Sequence, residues 1–421
     1  MNKRIDLVCI AGRHRNTDVL HVPPYGILYV GSSLKRAGYN VVLHHIPSSL
    51  IREEARKIAD EKPLFAGFSV FTGFPASASV KMSEMLKAIN PDIPIVWGGV
   101  HPSAMPEQCL KEKSIDYVVM GEGEETAVEL AECIEKCSGF SDIKGLGWKH
   151  EGRIFINPPR PFINDLDHFL VDWGITDPER YVETSIDGKR IFTFISSRGC
   201  RGTCGFCYNM MFNRRRWRAH SIDYFMSQVC EFKKRYGITH LLCNDDNFFE
   251  DEGRAIDIIE RLDSTGIHLI FLEMRVSQIR YELVQRLQKL GVNRIFIGWE
   301  SGSDRILKLI RKGITVKTIR EKIRILSDFP SIAIEASAII GFPTETKQEI
   351  YQTVDLALEM ARIHPRISFN LGLYLPYPGT PLYELAKKEG FKEPFELYIL
   401  KFIKKINKYL LKLKGLNIYY E

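Results

Sequence analysis

The chain has 421 residues, of which 45% are hydrophobic and 26% charged, with a formal net charge of +6. That length allows two or three domains with cores of their own. No run approaches the ~20 apolar residues of a membrane span, and so mild a positive charge does not by itself argue for a nucleic-acid partner. The N-terminus, Met1-Asn2-Lys3-Arg4, enters a strand-like segment without the long apolar core of a signal peptide. Strands are predicted over 5–11, 40–45, 64–70, 93–97 and 115–120, with helices over 25–37, 48–60, 76–89, 103–113 and 124–137. The strands are short, continuous and apolar, as expected when both faces of a parallel sheet are covered. Alternation of this kind implies a doubly wound, Rossmann-like sheet, whose ligands bind beyond the carboxyl ends of the strands.

Those strand ends are rich in glycine and small hydroxyls. The third strand leads through Ser69 to Thr72 and Gly73, the fourth through Gly98 and Gly99 to His101 and Ser103, and the fifth into Gly121-Glu122-Gly123. Pro23-Pro24-Tyr25-Gly26 follows the first. Glycines let a bulky ligand approach the backbone, although they also shape ordinary βα turns. Over residues 1–140 this pattern resembles a cobalamin-binding domain. The resemblance implies cobalamin contacts from Tyr25, Gly26, Ser69, Thr72, Gly98, Gly99, Ser103, Gly121, Glu122 and Gly123, with the nucleotide tail in the sheet crevice and the corrin facing a second domain. The D-x-H-x-x-G motif that ligates cobalt in other cobalamin proteins is absent: Asp18 and His21 have the wrong spacing, and His14 lacks the context. His101 is a poor cobalt ligand against its reading as a turn-stabilising residue.

Residues 141–190 read as a linker. It holds a small hairpin turning at Glu151-Gly152 and an extended Pro158-Pro159-Arg160-Pro161, and its aromatic residues, such as Phe162, Phe169 and Trp173, are expected to pack rather than face water. By family analogy such a segment helps enclose the substrate. Alternation resumes over 191–380. Strands are predicted over 191–196, 240–243, 268–274, 294–297, 332–340 and 367–375, with helices over 221–236, 253–264, 281–290, 304–310, 316–329 and 347–363. Six such units suit a partial (β/α)6 barrel, with chemistry at the carboxyl ends of its strands.

After the first of these strands comes Arg198-Gly199-Cys200-Arg201-Gly202-Thr203-Cys204-Gly205-Phe206-Cys207-Tyr208. Three thiols at C-x3-C-x2-C with interleaved glycines suggest a metal. A closed zinc site wants four ligands, which His220 could complete. An iron–sulfur cluster with three cysteines instead leaves one iron open. The other cysteines include Cys9, Cys109, Cys133, Cys230 and Cys243, which lie on apolar segments and read as small buried hydrophobes in a reducing cytosol.

The cysteine loop, its aromatic Phe206 and the strand before it resemble the cluster loop of radical S-adenosylmethionine (SAM) enzymes that also carry a cobalamin domain. The relatives include methyltransferases and anaerobic cyclases of the magnesium-protoporphyrin monomethyl ester type. The resemblance implies that Cys200, Cys204 and Cys207 hold a 4Fe–4S cluster. It places SAM among Tyr208, Asp245, Arg275, Glu300, Ser301, Ile339 and Gly341, with Asp245 by the methionine moiety, Glu300 and Ser301 by the ribose or amino acid, and 339–341 by adenine. The family's G-x-I-x-G turn has Ser337 in place of its first glycine. Asp245 and Asp246 also read as helix caps.

Arg214-Arg215-Arg216-Trp217-Arg218 suits an anionic substrate, RNA or a solvated face. Residues 381–421 form a helical tail, in which 395–413 has an apolar face and a lysine face. Such a helix either lies on an anionic membrane surface or packs on the protein. Relatives commonly carry a longer C-terminal region. The reading that results is an enzyme in which cluster and SAM generate a 5′-deoxyadenosyl radical and cobalamin supplies a methyl group to an unactivated carbon. An oxidative cyclase with the same cofactors is the alternative, and a cobalamin- or SAM-responsive binding protein without turnover is the alternative from another class. The resemblance implies a small-molecule or lipid-like substrate, a flavodoxin- or ferredoxin-type electron donor, no nucleic acid, and a cytoplasmic or membrane-associated location.

Overall fold

In a computed structural model of the chain, residues 3–14, 17–18 and 20–392 are described. The chain passes from one compact unit to a second between Pro178 and Glu179.

The first unit holds strands β1 (Arg4–Ile10), β2 (Asn40–Ile46), β3 (Phe65–Ser69), β4 (Ile95–Gly98), β5 (Tyr117–Val119), β6 (Leu146–His150) and β7 (Arg153–Ile156). They form one sheet in the order β2-β1-β3-β4-β5-β6-β7. The first five are parallel. Its helices are α1 (Tyr25–Arg36), α2 (Ile51–Glu61), α3 (Phe74–Ile89), α4 (Val100–Ala104), α5 (Pro106–Lys111) and α6 (Glu124–Lys136). Side chains alternate across β1. Ile5 and Leu7 join Leu28 and Leu34 of α1 and Leu130 of α6 in one core, while Val8 and Ile10 join Ile58 of α2 and Val80 of α3 in the other. Both faces are therefore covered, which is why the strands read as unbroken apolar runs. The strand order reverses between β1 and β3, making the topological switch point at which open α/β sheets bind ligands.

Two local details differ from the sequence expectation. The helix predicted over 103–113 is two short helices, α4 and α5, because Pro106 supplies no N–H and keeps Met105 out of helical geometry (φ −134°, ψ 55°). The hairpin of β6 and β7 continues the first sheet as an antiparallel edge. Its turn places Glu151 and Gly152 at φ 47° and 75°, as a two-residue hairpin turn requires.

The second unit adds β8 (Glu183–Thr184), β9 (Arg190–Phe194), β10 (His240–Cys243), β11 (His268–Arg275), β12 (Arg294–Glu300), β13 (Ala333–Ile340) and β14 (Ile367–Leu373). Apart from β8, an antiparallel edge, the strands are parallel and lie in sequence order. Helices α7 (Ile222–Tyr236), α8 (Glu252–Ser264), α9 (Tyr281–Lys289), α10 (Asp304–Leu309), α11 (Val316–Ser327) and α12 (Lys347–Ile363) connect them, and α13 (Pro381–Lys388) follows. This is a partial (β/α)6 barrel with an open edge at β14. In β13, Ile334, Ala336, Ala338 and Ile340 are buried, while Glu335, Ser337 and Ile339 lie on the more open face.

Among the described residues no helix is long and apolar enough to cross a membrane. The predicted helix over 395–413 lies outside the described residues. Cys109 and Cys243 are buried as expected, whereas Cys230 is exposed, on the polar side of the amphipathic α7.

Candidate active site

The cysteine loop is closed like a drawstring. Just after β9, Ser197 and Arg198 pair antiparallel with Ala219 and Arg218, so that residues 199–217 form a loop with joined ends. At the neck, Gly199 takes φ 88°, and a Cβ there would stand 1.9 Å from the carbonyl oxygen of Arg216. No other residue type fits. The loop is tied elsewhere too. Gly205 donates its N–H to the carbonyl of Ile310 at 2.8 Å and accepts from the N–H of Leu382 at 3.0 Å, and the Thr203 hydroxyl donates to the carbonyl of Arg311 at 3.2 Å.

Two aspartates after β10 hold the loop's entry. Asp245, which is buried, accepts from the Ser196 N–H, the Ser196 hydroxyl and the Ser197 hydroxyl, each at 2.6 Å. Asp246 accepts from the Gly199 N–H at 2.8 Å and from the Tyr208 hydroxyl. Hydrogen bonds to a charged acceptor contribute about 1.5–3 kcal/mol each. Both oxygens of Asp245 are thus engaged by the loop, which makes it the loop's anchor. Neither aspartate caps the next helix, because Asp251 does so by accepting from the Arg254 N–H at 3.0 Å. Arg254 reaches back and donates to the carbonyls of Ser196 and His220, each at 3.0 Å.

Burial raises the Cys200 thiol and pushes the Cys207 thiol up to about 12, so both stay protonated until a metal displaces the proton. Among the described residues no three His, Cys, Asp or Glu side chains come close enough to hold a single metal ion. The zinc reading completed by His220 therefore has no geometry behind it. A cluster fits better, because it engages each thiolate through a different iron. The Gly202 N–H already points at the Cys200 sulfur, 3.3 Å away.

Register brings the other polar residues into rows. Arg275, Gly298, Ser337 and Asn370 pair in succession across β11, β12, β13 and β14. Glu273 sits two residues before Arg275 on β11, and burial, then Asp246 and Asp245, raise its carboxyl to about 7. Glu300 stands at φ 66°, beside a bulge between Gly298 and Glu300. Such left-handed backbone in a non-glycine residue costs on the order of 1–3 kcal/mol and clusters at functional sites. Its carboxylate pairs with Lys312 at 2.7 Å, and both side chains are nearly buried. Burial is the largest effect and pulls the Lys312 ammonium down, but the Glu300 charge, the Cys204 sulfur and the Glu300 hydrogen bond together outweigh it and the net shift is upward. The pair lies over Gly298, where a Cβ would strike both side chains.

Lys312 was not among the residues expected from sequence. Its only signal there is a basic pair, Arg311-Lys312, before Gly313 at the end of a helical run. Ser301 is wholly buried, its hydroxyl 3.3 Å from that of Thr353 in α12, so it holds a turn rather than facing the open side. Ile339 is on the open face, and Gly341, at φ 82°, donates its N–H to Glu345. Glu345 also takes the Phe342 N–H at 3.1 Å, and burial raises its carboxyl to about 7. Arg275, Glu273, Glu300 and Lys312 together suit a ligand carrying both an ammonium and a carboxylate.

The switch-point crevice of the first unit is built differently. A Cβ added at Gly26, Gly73 or Gly121 would meet nothing within 4 Å, so backbone there is bare to an approaching ligand. Gly99, at φ 99°, lies tight against Val70. Ser103 donates its hydroxyl to the Gly99 carbonyl at 2.7 Å and accepts from the Gly121 N–H at 2.8 Å, tying two loops together. Gly98 faces Val119, and Gly123 fits against Val30, bringing α1 and α6 together. Ser69 ends β3, and Tyr25 sets its ring edge-on to Trp173. Glu122 accepts from the Ile163 N–H at 2.8 Å. Thr72 bonds His101 Nδ1 at 3.2 Å, and burial pushes that imidazole down to about 4. His101 is neutral; its Nε2 is buried without a hydrogen-bond partner among the described residues, and the Nδ1 contact with Thr72 ties it to the loop after β3. A bulky, largely neutral ligand such as cobalamin fits these bare backbone stretches.

Comparison with known proteins agrees with both halves. A B12 binding domain matches residues 16–131, and the Radical SAM superfamily matches residues 194–357. The chain belongs to the radical SAM enzymes that carry a cobalamin-binding domain, and its cofactors are a 4Fe–4S cluster, SAM and cobalamin. Uncharacterized methyltransferase PH0819 of Pyrococcus horikoshii is 30% identical over 86% of this chain and 78% of its own length. The anaerobic magnesium-protoporphyrin IX monomethyl ester cyclase of Rubrivivax gelatinosus is 28% identical over 86% of this chain, which spans 66% of the cyclase. The solved structure of the radical SAM methyltransferase TsrM from Kitasatospora setae, with tryptophan and a SAM analogue, shares the fold at TM-score 0.72 and 18% identity, covering 92% of this chain and 76% of that one.

Proposed function

We propose that this enzyme methylates an unactivated carbon of a small or lipid-like molecule. When bound, the cluster and SAM supply a carbon-centred radical and cobalamin supplies the methyl group. The protein's own part is to position and to shield. The aspartate-anchored loop fixes three thiolates, the Arg275–Glu300–Lys312 group takes the charged end of SAM, and the backbone at 339–341 with Tyr208 takes adenine. The glycine-lined crevice of the first unit holds cobalamin through the residues from Tyr25 to Gly123 described above.

The observation that carries this reading is the closed three-cysteine loop at a strand's carboxyl end, in the same chain as a cobalamin-type sheet. Methylation is favoured over other outcomes by the methyltransferase relative that aligns with most of the chain. Oxidative cyclisation is the second reading, favoured by the cyclase relative. The reductant is an external one-electron carrier of flavodoxin or ferredoxin type, and the enzyme works in the cytoplasm. Product mass separates the two outcomes. A substrate converted under anaerobic, reducing conditions with SAM and methylcobalamin gains one carbon if the proposal is right, and gains none if ring closure is the reaction.

A further inference from the structure

Asn247 and Glu250 lie on one short turn after β10, beside the first cysteine of the loop. The turn, Phe248–Glu250, is pinned by two fully buried rings, Phe248 and Phe249. Asn247 is itself buried. Its amide nitrogen donates to Glu250 Oε2 at 2.6 Å and faces the Cys200 sulfur at 3.8 Å. The same carboxylate oxygen lies 3.7 Å from the Cys200 sulfur and accepts from the Arg201 N–H at 3.3 Å. Asparagine carries two N–H donors on one nitrogen, so it can serve both partners at once.

In the thiol form Cys200 donates to Glu250. As a cluster ligand it is a thiolate and has no proton to give. The carboxylate then faces a second negative charge; the Asn247 amide contacts both, the Arg201 N–H is donated to the carboxylate, and the Gly202 N–H points at the sulfur. Negative charge near a cluster opposes its reduction, whereas N–H donors to its sulfurs favour it. From this geometry we infer that Glu250 and Asn247 act in opposition to set the reduction potential of the cluster at Cys200. Glu250 makes the reduced cluster a stronger electron donor, and Asn247 moderates it. They are positioning residues, acting through Cys200 and not on substrate. The inference rests on the cluster assignment and not on the outcome of the reaction.

The test is an EPR-monitored redox titration of anaerobically reconstituted protein without SAM, alongside iron and sulfide analysis. Glu250→Gln keeps the shape and removes the charge. Its midpoint is expected to rise, with reduction about tenfold easier, which is about 59 mV for a one-electron couple. Glu250→Asp keeps the charge and is expected to stay near wild type. Asn247→Ala is expected to move the midpoint the opposite way, to more negative potential. Unchanged midpoints, or shifts of Glu250→Gln and Asn247→Ala in the same direction, would overturn the inference. Loss of iron in Glu250→Gln would overturn it too, by making Glu250 a structural support. A wild-type protein that takes up no cluster would instead overturn the functional reading beneath it.

Discussion

The two units place their sites at the same kind of location, the carboxyl ends of parallel strands, yet equip them with opposite chemistry. In the first unit the crevice is bare glycine backbone, fixed by short neutral bonds such as Ser103 to Gly99 and Gly121. In the second, charge dominates: two aspartates grip the cysteine loop, and Glu300 and Lys312 form a nearly buried ion pair. A large ligand of modest charge asks for room. A small zwitterion and a cluster ask for fixed charges and a rigid loop. Buried ion pairs cost desolvation energy that packing alone would avoid, so the Glu300–Lys312 pair beside these strand ends marks where a charged ligand is expected.

The contrast can be broken most severely at Gly199. A Gly199→Ala chain cannot close the loop's neck, because its Cβ would overlap the Arg216 carbonyl. Near-total loss of iron after reconstitution is expected, with cobalamin retention unchanged; full iron loading would show that the neck does not govern the site. Lys312→Met comes next. It leaves Glu300 buried and unpaired, at a cost of about 3–5 kcal/mol. The double variant Glu300→Gln with Lys312→Met should recover most of that in thermal unfolding, and no recovery would mean that the two side chains are not coupled.

Glu273 gives a pH signature. Its folded carboxyl is raised to about 7, so its stabilising contribution is complete below the unfolded carboxylate range and is lost as pH rises through about 7. The loss is at most about 3 kcal/mol for a shift of this size. Cofactor-free Glu273→Gln protein should lose less stability than wild type between pH 5 and pH 8 in denaturant titrations; parallel losses would contradict the assignment. The smallest effect is expected in the neutral crevice. Ser103→Ala removes two bonds between loops, at about 1–2 kcal/mol, and should weaken cobalamin binding while iron content stays at the wild-type level.

Both sheets and the cysteine loop were legible in the sequence because they depend on local signals. Apolar runs marked the strands, glycines marked the turns, and three thiols at fixed spacing marked the loop. Pairings across the sheet were not legible. Asp245 was visible as an acid at a strand end, but that its oxygens are taken by Ser196 and Ser197 depends on how β9 and β10 lie side by side. Lys312 meets Glu300 only because the connection after α10 folds back over Gly298. Ser301 had the right residue type at the right strand end, yet the bulge turns it toward α12. Sequence spacing says which strand end a residue occupies, and backbone irregularities decide which way it faces.

The proposed function requires that the loop of Cys200, Cys204 and Cys207 support reductive cleavage of SAM. The direct measurement is 5′-deoxyadenosine formed by anaerobically reconstituted protein with SAM and a reductant, compared with the Cys204→Ala variant. Wild type is expected to release 5′-deoxyadenosine, and the variant to lose both cluster absorbance and product. A wild-type protein that holds its cluster and binds SAM but forms no 5′-deoxyadenosine would contradict the enzyme assignment.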